Sequence, residues 1–206
     1  MKGYFNCHNH TAVGSNIRLV DSINKPEALI DKAIELGLTG IAITDHEILS
    51  AHVEAEKHMQ KIQEQNPNFK LALGNEIYLT DTRDRGQKYY HFILIAKDAI
   101  GHRALRELSS RAWMNSYVDR KLERVPTLKS ELEEVVNKFP GHLIATTACI
   151  GGELSQNTLL YMAARKINDN ANAMLYYRRI NDFISYCKNL FGDDFYIECA
   201  PGTSTD

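Results

Sequence analysis

The sequence predicts an α/β fold built on a mainly parallel sheet, open or closed into a barrel. Three observations carry this reading. Short apolar runs alternate with longer segments of helical period along the chain. Breakers separate them, at Gly37, Asn66-Pro67-Asn68 and Pro140-Gly141. Polar side chains of the metal-ligand type stand just after the strand-like runs, where the loops of an α/β sheet converge on one face.

The elements follow in order. Gly3 to Cys7 is a short strand. Asn24-Lys25-Pro26 opens a helix with Leu29, Ala33 and Leu36 on one face, and Gly37 stops it. Thr39 to Thr44 is the next strand. A helix then runs from about Ser50 to Gln65, packing through Val53, Ala55, Met59 and Ile62. The stretch Phe69 to Leu73 is the third strand. Ile77 to Thr80 and Tyr89 to Ala96 flank a polar segment and read as a hairpin excursion. Helices follow over Ala99 to Tyr117 and Lys129 to Lys138. After the strand His142 to Thr146 comes a Gly-Gly loop, then helical stretches Leu159 to Lys166 and Ala171 to Leu190, and a last strand Phe195 to Glu198.

The chain has 206 residues, and at roughly 150 residues per domain this fits one continuous domain over 1–206. No repeat or Gly/Ser/Pro-rich linker divides it. A hydrophobic content of 44% and a charged content of 24% suit a soluble globular protein and argue against long disorder. The net charge of -2 lacks the basic footprint of an autonomous nucleic-acid binder, so any such contact must be local or assisted. Apolar runs such as Phe92 to Ala96 are far shorter than the roughly 20 residues of a membrane span. The N-terminus turns polar at once and lacks a signal-peptide core, so a cytoplasmic location without membrane contact is expected. The cysteines at 7, 149, 187 and 199 form no CxxC pair and read as free thiols.

His8-Asn9-His10 follows the first strand, Asp45-His46 the second, Glu76 the third and Cys149 the strand at 142–146. His8 and His10 are two apart, so in an extended segment both imidazoles face one side and can grip one cation. Each piece alone has an ordinary structural reading: a polar pair at a strand end, an Asp that caps a helix, a small buried thiol. Their joint occurrence at equivalent strand ends is what points to a site. His52, His58, His102 and His142 read as surface or packing residues. The segment from His102 to Arg124 is locally basic and contains Trp113 and Tyr117. A solvated helix face with core aromatics is the preferred reading there over DNA contact.

The order of His8-Asn9-His10-Thr11, Gly40-Ile41-Ala42-Ile43-Thr44-Asp45-His46, Gly74-Asn75-Glu76, Tyr90-His91 and Ala148-Cys149-Ile150-Gly151-Gly152-Glu153-Leu154 resembles the polymerase and histidinol phosphatase (PHP) family of metal-dependent phosphoesterases. Within it, the match is closest to the N-terminal PHP domains of bacterial DNA polymerase III α subunits, and it covers essentially the whole chain. The resemblance implies that His8, His10, Asp21, His46, Glu76, His91 and Cys149 are ligands of a multinuclear metal cluster, with Asp45 as a supporting partner. His91, which precedes its apolar run, enters on the resemblance alone. Imidazole and carboxylate donors favour Zn, Mn or Fe, and a Cys149 thiolate adds weight to zinc.

The implied activity is hydrolysis of a phosphodiester at a DNA 3′ end, a 3′-to-5′ proofreading exonuclease within a DNA-directed DNA polymerase. The remaining polymerase domains and other replisome subunits are the implied partners. Two alternatives stay open: a catalytically silent structural module of the polymerase, and a free-standing small-molecule phosphatase such as histidinol phosphatase. Family members close the motif series with an Asp-x-His pair, which is lacking up to Asp206. A complete β/α barrel typically needs about 250 residues. The expectation is therefore a PHP-type distorted β/α barrel, truncated at its C-terminal end and a poor hydrolase by itself.

Overall fold

The computed structural model describes residues 3–17, 21–119 and 122–199. Its strands are β1 (Phe5–Asn6), β2 (Gly40–Ile43), β3 (Lys70–Thr80), β4 (Tyr90–Ala96), β5 (Tyr117–Asp119), β6 (Leu122–Arg124), β7 (Pro126–Leu128), β8 (Leu143–Thr146) and β9 (Phe195–Tyr196). The α-helices are α1 (Ala12–Ile17), α2 (Pro26–Glu35), α3 (His52–Ile62), α4 (Ala99–Met114), α5 (Lys129–Lys138), α6 (Glu153–Lys166) and α7 (Asn170–Phe191).

The main sheet runs β1-β2-β3-β4-β8-β9, with β7 added to the far end of β3, while β5 and β6 form a separate hairpin. The pairs β1/β2, β2/β3, β3/β7 and β8/β9 are parallel, whereas β4 is antiparallel to both β3 and β8. Six strands thus point one way and β4 the other. The carboxyl ends of the six and the amino end of β4 share one rim. The sheet curls into a half-barrel: β1 and β9 end the strand order on opposite sides, yet His8 after β1 and Glu198 after β9 lie 2.8 Å apart, Nδ1 to Oε1.

Alternation along the strands sorts side chains onto the two faces of this curl. On the outer face Phe92, Leu94, Ile77 and Leu79 pack against Leu105 and Leu108 of α4, Leu132 and Val135 of α5 and Phe183 of α7. Ile41 and Ile43 of β2 pack against Ile30 and Ala33 of α2 and Ala55 and Met59 of α3. On the inner face Ala42, Ile93, Ile95 and Ala148 are buried with Phe5, Ala72 and Ile144 against them. They form the apolar floor below the polar rim.

The structure corrects several sequence expectations. Leu36 is exposed because it caps α2 instead of continuing it, and Ile30 takes the buried place. Val53 is exposed at the start of α3. The strands foreseen at 69–73 and 77–80 are one strand, since β2 pairs with its first half and β4 with its second. The helix expected to reach Tyr117 stops at Met114, and residues 117–128 hold three short strands that no alternation announced. The helix placed at Leu159 begins at Glu153. Helix α1 was not foreseen, because Ala12–Ile17 is too short to show a period.

Candidate metal centre

The centre is built around Glu76, whose side chain is fully buried. Strand alternation turns Glu76 and Tyr78 to the inner face, and His91, Ile93 and Ile95 to the same face, because the ladder pairs Glu76 with Ile93 and Tyr78 with His91. His91 Nδ1 stands 2.6 Å from Glu76 Oε1. The antiparallel direction of β4 explains its position ahead of the apolar run: the start of this strand lies on the rim where the other strands end.

His8 and His10 share a face because Asn9 between them is pinned the other way, its side-chain amide donating to Ala42 O at 2.9 Å and its N–H to Thr44 Oγ1 at 3.0 Å. His8 Nε2, His10 Nε2 and His46 Nδ1 then lie 3.2, 3.1 and 3.3 Å from the single oxygen Glu76 Oε2. The His10 and His46 rings stack at 4.3 Å. Tyr78, which sequence reasoning did not single out, stacks on His91 at 4.9 Å.

Asp21 joins from the other side, Oδ2 at 2.9 Å from His46 Nε2. Its longer spacing from His10 is taken up by α1, whose Ser15 hydroxyl donates to Asp21 Oδ1 while Ser22 Oγ donates to His10 O at 2.8 Å. Cys149 lies at the edge, Sγ 3.4 Å from His91 Nδ1 and 3.9 Å from Glu76 Oε1. Gly151 and Gly152 let this loop come close: a Cβ on Gly151 would sit 2.9 Å from the His91 ring, and one on Gly152 would collide with Thr147 O. Glu47 and Ala148, next to His46 and Cys149, both hold positive φ, 59° and 55°, so backbone strain is concentrated beside the centre.

Among the described residues no hydrogen bond joins the Asp45 carboxylate to an imidazole. Buried at 1% exposure, Asp45 accepts from Thr11 N at 2.6 Å and Thr11 Oγ1 at 2.7 Å, and so fixes the segment that carries His10. The remaining histidines lie elsewhere: His58 bonds Asp31, His142 bonds Asp98, and His52 pairs with His102. In the basic segment, Arg111 pairs with Glu107 and Glu134, and the Trp113 indole donates to Glu47 O. Arg120 and Lys121 lie outside the described residues. Sequence reasoning also missed Glu198, although a carboxylate just past the last parallel strand obeys the same strand-end rule as the others.

Charge at the centre is sharply partitioned. Burial opposes ionisation of Glu76, but bonds from His10, His8 and His91 outweigh it and hold its carboxyl well below the usual range. Burial disfavours the charged forms of His8 and His91 too. Glu198 and Glu76 nevertheless raise His8 to about 10, and Cys149 and Glu76 raise His91 to about 10. His46 is lowered by burial to about 4 and is neutral near pH 7. The His91 bond lowers the Cys149 thiol.

These donors fit a divalent cation. His8, His10 and Glu76, then His10, Asp21 and His46, then His46, Glu76 and His91 form three overlapping triads with donor atoms within 4.8 Å of one another. Glu76 belongs to two of these triads, and its carboxylate, unlike a neutral imidazole, would be able to serve two neighbouring ions. His10 Nδ1 is buried and without a partner among the described residues, in keeping with a side chain selected for what its other nitrogen holds.

Residues 6–201 match the model of the PHP domain family. The chain is 43% identical over 212 aligned residues to the "Probable DNA polymerase YorL" of Bacillus subtilis (strain 168) and to the "DNA-directed DNA polymerase" of Bacillus phage SPbeta, in each case with 97% of this chain and 16% of the relative covered. It is 30% identical over 196 residues to the DNA polymerase III subunit alpha of Borreliella burgdorferi, covering 92% of this chain and 15% of that protein. The chain therefore spans about a sixth of the length of these polymerases. No helix among the described residues is long and apolar enough to cross a membrane. With a family match that runs through nearly every residue of the half-barrel and its rim, the chain belongs to the PHP domain family.

Proposed function

We propose that the chain is a metal-dependent phosphoesterase domain of a DNA polymerase, acting on the phosphodiester at a DNA 3′ end. The observation that carries this is the convergence of His8, His10, His46 and His91 on the buried carboxylate of Glu76, with Asp21 and Cys149 at its margins. His8, His10, Asp21, His46, Glu76, His91 and Cys149 would hold the cluster, and the mixed nitrogen, oxygen and sulfur donors favour Zn or Mn, with Fe also suited. A bound cluster of this kind supplies an activated water and neutralises charge on the departing oxygen.

The protein's own residues prepare this chemistry. Glu76 concentrates negative charge at the bottom of the cluster, and its burial keeps competing water away from that end. Thr11 and Asp45 fix the His8–His10 segment, and Gly151 and Gly152 bring Cys149 to His91. The half-barrel interior, about 890 Å³, opens directly below His8, His10 and Cys149 and offers room beside the cluster for part of a substrate. The rest of the polymerase and the replisome subunits bound to it would present the DNA end, in keeping with the low net charge of this chain.

The test is metal content and hydrolysis of 3′-labelled single-stranded DNA. His10→Ala should lose metal and any hydrolysis, while His58→Ala, changed on the outer helix α3, should keep both. Equal losses in the two variants would overturn the assignment of the centre. Full metal loading without hydrolysis, in this chain and in the intact polymerase, would overturn the esterase reading and leave a structural role for the cluster.

A further inference from the structure

We propose that Glu198 orients His8 for the metal cluster, acting as a positioning residue that holds the Nδ1–H of the ring so that Nε2 faces the ions. This rests on the metal-centre reading above. Glu198 belongs to none of the three donor triads, yet both its carboxylate oxygens and its backbone N–H are engaged. Oε1 lies 2.8 Å from His8 Nδ1, and Oε2 accepts from Thr146 Oγ1 at 3.2 Å. Its backbone N–H donates to Thr147 Oγ1 at 3.0 Å. The opposite nitrogen of His8 faces inward, 3.2 Å from Glu76 Oε2 and 3.0 Å from His10 Nε2.

An imidazole offers a lone pair at only one nitrogen when neutral, and the group bonded to the other nitrogen decides which. A carboxylate accepting from Nδ1–H fixes the proton there, stops the ring from turning over and makes Nε2 the better donor. Glu198 can do this because β9 lies at the far end of the strand order and curls back to β1. The His8–Glu198 bond therefore spans the open side of the half-barrel. The geometry of the first imidazole thus depends on the last strand.

The experiment is competitive Zn titration against a chelator with the 206-residue chain, together with nitrogen chemical shifts of His8 in the Zn-loaded protein. Glu198→Ala should weaken Zn binding by about 10–100-fold, the range seen when a partner of a metal-bound histidine is removed. Glu198→Gln, which can still accept from Nδ1–H, should recover to within about threefold of the parent. The His8→Ala, Glu198→Ala double variant should bind no more weakly than His8→Ala alone, because Glu198 acts only through His8. The His8 shifts should report a pure Nδ1–H tautomer in the parent and a mixture in Glu198→Ala.

Parent-like Zn binding by Glu198→Ala overturns the proposal. So does a double variant much weaker than His8→Ala, which would make Glu198 a direct ligand. If Glu198→Ala does not fold, Glu198→Asp, whose shorter side chain draws the carboxylate back from His8 Nδ1, decides: unchanged affinity and an unchanged tautomer overturn the proposal. His10→Ala separates the two levels. If it too binds Zn like the parent, the metal centre itself is wrong. If it loses Zn while Glu198→Ala does not, only the role of Glu198 falls.

Discussion

Acidification from pH 6.5 to 4 should cost the folded chain about 3 kcal/mol through His52 alone. His52 is 4% exposed at the start of α3, its Nε2–H donates to Gly74 O at 2.9 Å, and its Nδ1 accepts from His102 Nε2–H at 3.1 Å. Both ring nitrogens are committed to the neutral form. A proton added to Nδ1 would turn that acceptor into a donor aimed at another donor. Burial first, and then His102, lower His52 from the ordinary 6.5 to about 4.

The unfolded chain therefore binds this proton at higher pH than the folded one, so stability is complete above pH 6.5 and declines as pH falls towards 4. Urea unfolding at pH 8, 6 and 4.5 measures it, with His52→Gln as reference because glutamine can still donate to Gly74 O. The parent should lose more stability on acidification than the variant, by a difference that approaches the figure above at the lowest pH. Groups other than His102, which contacts His52 directly, titrate alike in both proteins and cancel. Parallel declines in the two would refute the reasoning, as would a ring-proton titration placing His52 near 6.5.

Glu76→Gln should weaken Zn binding by at least about 100-fold in calorimetric titration, since it removes the charge on which four imidazoles converge. Gly151→Ala should cost about 1–3 kcal/mol in thermal unfolding, because the added methyl meets the His91 ring. A crystal structure of that variant should show the ring displaced. Leu105→Ala, at a position 1% exposed between α4 and the sheet, should cost about 2–5 kcal/mol in urea unfolding and leave Zn affinity unchanged.

The parts of the fold most legible in the sequence were those with a long period or a sharp stop. Helix α5 lies at Lys129–Lys138, ending ahead of Pro140-Gly141 as expected, and β2 and β8 lie within a residue or so of their expected bounds. The short pieces were not legible: β5, β6 and β7 are three residues each, too brief for alternation to register; β5 and β6 hold only each other, and β7 is held by pairing to distant β3. The rim gathers all the residues singled out for it, for a reason that strand-end logic reaches for His8, His10, His46 and Cys149. His91 needed knowledge of strand direction, which local pattern does not encode. Glu198 could have been found by applying the strand-end rule once more.

The β3–β4 hairpin has a bearing on how such a centre can vary. Glu76 and His91 are separated by the polar segment 81–89 along the chain, but their spacing is set by the ladder between them, where Tyr78 faces His91 and Glu76 faces Ile93. The connecting segment could lengthen, shorten or change its charge while the two donors keep their distance, provided the strand register is kept. It rises from the same rim as the cluster. Sequence drift in this one turn can thus remodel what an approaching molecule meets without moving the Glu76 and His91 side chains beneath it, so the rim and the cluster below can vary separately.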